Sequence, residues 1–444
     1  MQSRHIRTFI VALLTSSAAL PACAQTACDT LYLSVEELLS KVSRSHLQVA
    51  ADRLKEQMAA ERAKTARMSR LPSVSVGLRA GYLGQPIVWE NGLSHATRPD
   101  SPDWQQNYTV DVSQPVYQGG RIKYSIRKAD LEQELARLQT AADEGDIRLA
   151  MLSRYLELFS MYKQHMVLDR KIAESERRLK DIRRLKAEGV ITNNDVLRSE
   201  LQLTDDRLAL QETDNDIRIA SQQIDILLGL DERLLLIPDT ALLADERHVD
   251  NYEYYVERAS LADPSVLALH KQTEIAENNV CIKQSALRPS VSLTASNTLT
   301  RPVSRTMADM YNNAWNVGVS VSYPLSALYT DRHQLREARQ NVQLMHNAEE
   351  QKQQQIRMAV QSALLRHREA ISRVEALKLS VRQASENYRI MYNRYMNQLA
   401  ILTDLLDADN LRLNAELQLT TARRWHTPTM NCSALSENCS KDNI

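Results

Sequence analysis

From Leu325 to Thr427 the chain contains neither a glycine nor a proline, and from Arg121 to Glu188 it contains only Gly145. Glycine and proline are the residues that end helices, one through its backbone freedom and the other through its missing N–H. Stretches so free of both predict very long helices. A single helix over residues 121–188 would be about 100 Å long at 1.5 Å per residue, a rod that no compact domain of this size accommodates. Along these rods apolar residues recur at three- and four-residue steps, as in Leu131, Leu135 and Leu138, or Leu149, Leu152 and Leu156. This is a narrow, coiled-coil-like seam on an otherwise charged surface. It suits a hollow bundle with water inside and out.

The rods belong to a duplicated unit. Asn107-Tyr-Thr-Val-Asp-Val-Ser-Gln-Pro-Val116 matches Asn316-Val-Gly-Val-Ser-Val-Ser-Tyr-Pro-Leu325 at an offset of 209, and the same offset carries Asp195-Val-Leu197 onto Asp404-Leu-Leu406. Upstream, Leu71-Pro-Ser-Val-Ser-Val76 matches Arg288-Pro-Ser-Val-Ser-Leu293. Matches in the same order define two copies, over about residues 32–235 and 261–427. Each copy reads helix, strand, loop, strand, long helix, tight turn, helix. The opening helix starts at a capping box, Ser34-x-x-Glu37, and is expected to run to Arg70 before Pro72 stops it. The turns fall at Gly189–Thr192 and Gln398–Leu402. Between the copies, Asp231 to Leu261 breaks the periodicity and is expected to wrap around the middle of the rod.

The strands alternate with period two. Val74, Val76, Leu78, Ala80 and Tyr82 alternate with small or polar residues, as do Tyr108, Val110 and Val112; in the second copy Val291, Leu293 and Ala295, then Val317, Val319, Val321 and Tyr323, do the same. Alternation by itself describes any half-buried strand. Here the strands have the roughly ten-residue length that crosses a bilayer, the chain carries an export signal, and no amphipathic helix beside them offers a spare apolar face as cover. Apolar residues outward to lipid and polar residues inward to water is the better reading, with Arg79 and Asp111 facing the lumen. Four strands cannot close a barrel with a lumen, since known membrane barrels need at least about eight. Two chains would give eight strands and a filled interior, and three would give twelve with room for a pore.

The compartment is written at the start. Arg4, His5 and Arg7 precede an apolar run from Phe9 to Leu20, then Ala22-Cys23-Ala24: a signal peptide over residues 1–24. The run is shorter than the roughly 20 residues of a spanning helix, and no later stretch is apolar enough to span. Ordinary signal-peptidase cleavage fits best; lipidation of Cys23 after a loose lipobox, Leu20-Pro-Ala-Cys23, is the alternative. Cys28, Cys281, Cys432 and Cys439 lack metal-ligand spacing. Cys432 and Cys439, in a flexible polar tail over residues 428–444, are either a periplasmic disulfide or two free thiols.

Net charge is zero with 25% charged residues, which gives nucleic acid no footprint. There is no His-Glu-x-x-His, Gly-x-Ser-x-Gly or Cys-x-x-Cys, and the ten histidines are scattered. No enzyme and no cofactor is expected. The Gly119-Gly120 pair lacks the Lys-Ser/Thr of a phosphate-binding loop and reads as a sharp strand-to-helix turn.

The segments Gln114-Pro-Val-Tyr-Gln-Gly-Gly-Arg121, Gly189-Val-Ile-Thr-Asn-Asn-Asp-Val-Leu197, Leu227-Leu-Gly-Leu230 and Tyr395-x8-Asp404-Leu-Leu-Asp407-Ala408, in this order on a duplicated frame, resemble the TolC-type outer-membrane efflux family from about Leu33 to Arg424. The resemblance implies a mainly α protein with a membrane β-barrel portion: a homotrimer forming a twelve-stranded outer-membrane barrel, surrounded by lipid, on a periplasmic helical tunnel. It also implies two partners, a periplasmic adaptor (membrane fusion protein) and an inner-membrane pump of RND or ABC type. Asp404 and Asp407, on one helix face at i and i+3, match the family's acidic ring at the channel entrance, with Tyr395 beside them. Six carboxylates at one level would attract cations and form a candidate site for a divalent one. The tips, Gly189, Val190, Ile191, Thr192, Gln398, Leu399 and Ala400, match the adaptor contacts. The best-known members place a glycine and a lock-forming arginine after the tyrosine, where this chain has Gln398 and Ala400; Arg394 and Arg198 are the candidates for that role. The rival reading is a soluble periplasmic coiled-coil adaptor or scaffold, which leaves four membrane-length strands unexplained. Drug, metal and protein cargo are equally compatible with the sequence.

Overall fold

The computed structural model describes residues 30–90, 92–99, 102–239, 251–302 and 309–426. The expected signal peptide with Cys23, the following residue Cys28, and the expected tail with Cys432 and Cys439 lie outside them. The first copy opens with β1 (Thr30–Leu33), α1 (Val35–Ser45) and α2 (Leu47–Met68). It continues through β2 (Ser73–Tyr82), a small hairpin β3 (Val88–Glu90) and β4 (Ser94–Thr97), and β5 (Trp104–Gln118) into α3 (Arg121–Ala187) and α4 (Asn193–Leu228). After β6 (Leu235–Pro238) and α5 (Tyr252–Ala262), the second copy repeats the plan with α6 (Pro264–Ser285), β7 (Ser290–Arg301), β8 (Asn312–Ser322), α7 (Ala327–Met396) and α8 (Leu402–His426).

The expected rods are present: α3 has 67 residues and α7 has 70, each about 100 Å long at 1.5 Å per residue. The repeat holds to the residue at their ends. Ala187 and Met396, which end the long helices, and Asn193 and Leu402, which begin the return helices, are each separated by the sequence offset of 209. α4 packs along α3 and α8 along α7, while α6 lies against both α3 and α7 and ties the copies together.

The expected single opening helix is instead two. Ser34 and Glu37 form the reciprocal capping box, but the chain breaks at His46, whose backbone is extended (φ −68°, ψ 124°). His46 ends α1 and starts α2: its Nδ1 accepts from the Gln48 amide at 3.2 Å. An imidazole thus does the work of a cap without a glycine or proline to announce it. The connector between copies holds a second feature absent from the sequence reading, the strand β6, which pairs in parallel with β1 from Thr30↔Leu235 to Leu33↔Pro238.

The four long strands make one antiparallel sheet in the order β2-β5-β7-β8, so the two copies meet at β5 and β7. A bulge between Pro115 and Tyr117 bends β5 as it leaves the sheet. Gly119 and Gly120 then turn the chain into α3 at φ +63° and +94°. A Cβ on Gly119 would lie 2.3 Å from the Ser285 carbonyl oxygen, so the pair is needed for close packing of the strand-to-helix turn. Two apolar cores sit along the rods. One lies around Leu33, Leu38, Tyr155, Leu158, Ile224 and Leu236 under the β1–β6 pair. The other joins Ile182, Val196, Tyr395, Leu402 and Leu405 at the tip.

Candidate functional site

Register sorts the sheet into two faces. Val74, Val112, Ala295 and Val317 form one cross-strand row, and Leu78, Tyr108 and Leu299 another on the same face. The opposite face carries Ser75, Asp111, Ser296 and Asn316 in one row and Arg79, Asn107, Thr300 and Asn312 in another. Arg79 and Asp111 are both on this polar face, two rows apart, and both are exposed. The apolar face is uncovered: Val76 is 78% exposed, Leu78 72% and Val319 68%. An uncovered apolar face of this extent marks an interaction with lipid or protein.

Aromatic residues bracket that face. Toward the loops lie Tyr82, Trp104 and Trp315, with Tyr82 and Trp104 edge to face at 6.0 Å. Toward the helices lie Tyr117 and Tyr323, both exposed. Between Trp315 and Tyr323 the strand spans about 27 Å at 3.4 Å per residue. Tilted, it carries an apolar band on the order of 20–25 Å with an aromatic girdle at each border, as outer-membrane barrels do. Among the described residues no helix is long and apolar enough to cross a membrane.

At the other end of the rods, the two turns are built alike. Val190 donates to the Leu185 carbonyl at 3.0 Å and Leu399 to the Arg394 carbonyl at 2.8 Å. Gly189 and Gln398 sit at φ +75° and +63°. The left-handed conformation is free for glycine and strained for glutamine. The first turn is finished by a capping box, Thr192 with Asp195, whose carboxylate accepts from the Thr192 amide at 3.1 Å and its hydroxyl at 2.9 Å. The second has Ile401 at the equivalent of Thr192, so Asp404, the counterpart of Asp195, has no cap to make. Asp404 and Asp407 are exposed on one side of α8 while Leu402, Leu405 and Ala408 are buried on the other. No hydrogen bond or ion pair among the described residues engages either aspartate.

Tyr395 is placed differently from those aspartates. It is 6% exposed within the tip core, and among the described residues its hydroxyl has no hydrogen-bond partner. Burial, with the nearby charge of Asp195, pushes that hydroxyl up to about 12. Arg198 reaches across the hairpins to the Thr403 hydroxyl at 2.8 Å, whereas Arg394 closes its own turn on the Leu399 carbonyl at 3.3 Å. The neighbouring Tyr392 donates to Asp181 at 3.0 Å.

Above the tip lies a charged cluster that the sequence reading missed. Asp409, fully buried, accepts from Lys171, from Arg178 at 2.5 Å and from Arg412 at 3.1 Å. Arg412 also bonds Glu174 and covers the Tyr388 ring at 4.1 Å. Ser175 links Arg178 to Asp206 of α4, so all four tip helices share one network. Burial alone would raise the Asp409 carboxyl, but Arg178 and Lys171 outweigh it and hold the group below its ordinary value. The available signal was Lys171, Ser175 and Arg178 falling on the same stripe as Leu168, Ile172 and Leu179, where an apolar seam carries charges. Among the described residues no group of three or more histidine, cysteine, aspartate or glutamate side chains is arranged to hold a metal ion.

A sheet with one lipid-facing and one polar face, carried on a rod about 100 Å long, defines a membrane channel-tunnel protomer. The chain belongs to the outer membrane efflux protein family, whose model matches residues 38–230 and 255–427. Among solved structures it is similar to the outer-membrane channel OprN, with a TM-score of 0.71 at 17% identity over 90% of this chain and 89% of that one. VceC of Vibrio cholerae gives 0.70 at 17% over 90% and 95%. The channel CusC gives 0.77 at 14% over 91% and 93%. No curated protein sequence matches the chain. The protein is an outer-membrane efflux channel component, with its sheet in the outer membrane and its helices in the periplasm. Family members are trimeric channels that work with adaptor and pump partners.

Proposed function

We propose that three copies of this chain close a twelve-stranded barrel over a continuous helical tunnel, and that the tunnel receives cargo from a periplasmic adaptor and an inner-membrane pump. The observation that carries this reading is the four-stranded sheet, which has two open edges, β2 and β8, and an uncovered apolar face. Pairing β8 of one protomer with β2 of the next satisfies both edges and turns Arg79 and Asp111 into the lumen. A soluble adaptor would have to leave that apolar face in water. The test is reconstitution of membrane-extracted protein in planar bilayers. Discrete conductance steps and a heat-modifiable trimer on a gel are expected; a monomer without conductance overturns the reading.

In such a trimer Asp404 and Asp407 provide six carboxylates at one level of the entrance. The support is their exposure and their lack of partners among the described residues, which leaves their charge free to act on ions. Replacing both by Asn is expected to reduce single-channel cation preference and weaken block by divalent cations; unchanged selectivity sinks the assignment. Tyr395 takes a supporting role, seating α8 from the core side. The adaptor would meet Gly189, Val190, Ile191, Thr192, Gln398, Leu399 and Ala400, which lie in the turns between the paired helices. Crosslinking from cysteines introduced at Val190 and Leu399 tests this contact. The domain reading, a cleaved leader over 1–24 and one protomer of two repeats, is tested by N-terminal sequencing and mass, which also decide between a free and a lipidated Cys23.

A further inference from the structure

One buried acid has no place in the channel machinery. Asp225, on the last turn of α4, is fully buried, and among the described residues neither of its carboxylate oxygens has a hydrogen-bond partner. A buried carboxylate without a donor is costly and rare. One turn earlier on the same helix face lies Ser221, also buried. Its Oγ accepts from the Leu236 amide at 2.8 Å and donates to the Leu234 carbonyl at 3.2 Å. A hydroxyl has one hydrogen and two lone pairs. With that hydrogen on Leu234, the carboxylate of Asp225 can be satisfied by Ser221 only at the expense of the Leu234 bond.

Ser221 is also what fastens the connector to α4. Leu234 leads into β6, which is otherwise held by pairing with β1 and by two tyrosines of α3: Tyr162 donates to the Leu236 carbonyl at 3.0 Å, and Tyr155 to the Leu33 carbonyl at 2.7 Å while accepting from the Asp239 amide at 2.8 Å. The charged groups around this junction are otherwise engaged. Asp231 accepts from the Arg233 amide, Glu232 from Gln222, Arg154 of α3 donates to Gln223, and Glu37 of α1 caps its own helix. None is a cation bonded to Asp225.

We propose that Asp225 is a proton-operated latch for the connector between the two copies. As the neutral acid it leaves the Ser221 hydrogen on Leu234. As the carboxylate it draws that hydrogen to itself and releases the Leu234 carbonyl, so that β6 docks less tightly. Acid closes the latch and base loosens it. The titration falls within reach of periplasmic conditions, because burial, with the charge of Asp231 added and Ser221 opposing, pushes the Asp225 carboxyl from 3.8 up to about 6.

The test is hydrogen–deuterium exchange at the amides of residues 231–239 in the full-length protein, corrected for intrinsic rates, between pH 5 and pH 8. If opening returns Asp225 to its ordinary titration, protection should be about tenfold greater at pH 5 than at pH 8. Asp225→Asn, uncharged and of the same shape, should hold the acid level of protection across the range. Ser221→Ala, which keeps Asp225 but removes the hydroxyl that holds Leu234 and Leu236, should lose protection at both pH values. Wild-type protection that does not change with pH overturns the proposal. So does a pH dependence retained in Asp225→Asn or wild-type protection in Ser221→Ala, and the serine variant decides alone if the asparagine one fails to fold.

Discussion

The two hairpins of the duplicated unit share a backbone and differ in what holds it. In the first, the tip turn uses Gly189 at the left-handed position and the return helix is closed by the Thr192–Asp195 box. In the second, Gln398 occupies the same conformation under strain and Ile401 caps nothing. Higher up, the contrast reverses. Glu200 of the first hairpin makes a half-exposed pair with Arg183, whereas Asp409, at the equivalent position, is fully buried among three cations. The first hairpin is thus secured at its tip by local bonds. The second leaves its tip acids exposed and is secured about two turns above, by bonds to its neighbour. A hairpin that offers its end to ions and partners cannot also spend those groups on capping.

The largest expected break in this contrast comes from Asp409→Asn, which strands Lys171 and Arg178 in a buried site and should cost about 3–5 kcal/mol. Glu200→Gln should cost less than about 1 kcal/mol. Denaturant unfolding followed by helical signal reads both. The Asp409 contribution carries a pH signature. Its carboxyl is held below its ordinary value of 3.8, so the stability it adds is present above that pH and is lost as the pH falls through the lower folded value. Wild type and the variant should therefore converge in acid; a constant difference would mean that the buried ion pair is not the source.

Gly189→Ala should cost about 1–2 kcal/mol and Gln398→Gly should gain up to about 1 kcal/mol, since only the first places a side chain into the left-handed region. Equal and opposite signs in the two turns would sharpen the comparison; a loss at both would refute the claim of strain at Gln398. Smallest in energy is the cap. Thr192→Ala should cost about 1 kcal/mol, while Ile401→Thr should gain less than that by giving Asp404 a box to close. Under the proposed entrance role of Asp404, the second change should also lower cation preference in single channels, because the capping box engages its carboxylate.

The long helices, the strands and the duplication were legible because each depends on local pattern: the absence of Gly and Pro, period-two alternation, and a constant offset. Asp404 and Asp407 were legible as a pair on one face. What the sequence hid was long-range or unconventional. His46 breaks a helix through its ring nitrogen, which no propensity signals. The β1–β6 pair joins Thr30 to Leu235, too far apart for any local rule. Asp409 reads as one more charge on a charged helix until the partners Lys171 and Arg178 arrive from α3. Asp225 carries no local signal either, because its neighbours in the chain do not reveal that the β6 segment bonds to Ser221 one turn away.

That parallel pair bears on how the protein is made. It closes a loop containing nearly the whole first copy, and the core beneath it, from Leu33 to Leu236, draws on no residue of the second. During export from the N-terminus, the first copy can therefore complete its own interior before the second emerges. Its sheet cannot: β5 waits for β7, which arrives more than 170 residues later. Over that interval the chain carries a finished belt and an unfinished edge, the kind of exposed strand that pairs with whatever is nearest. The stage of biogenesis most exposed to misassembly is thus the one between the two copies, when the interior of the first is settled and its strands still lack their neighbours.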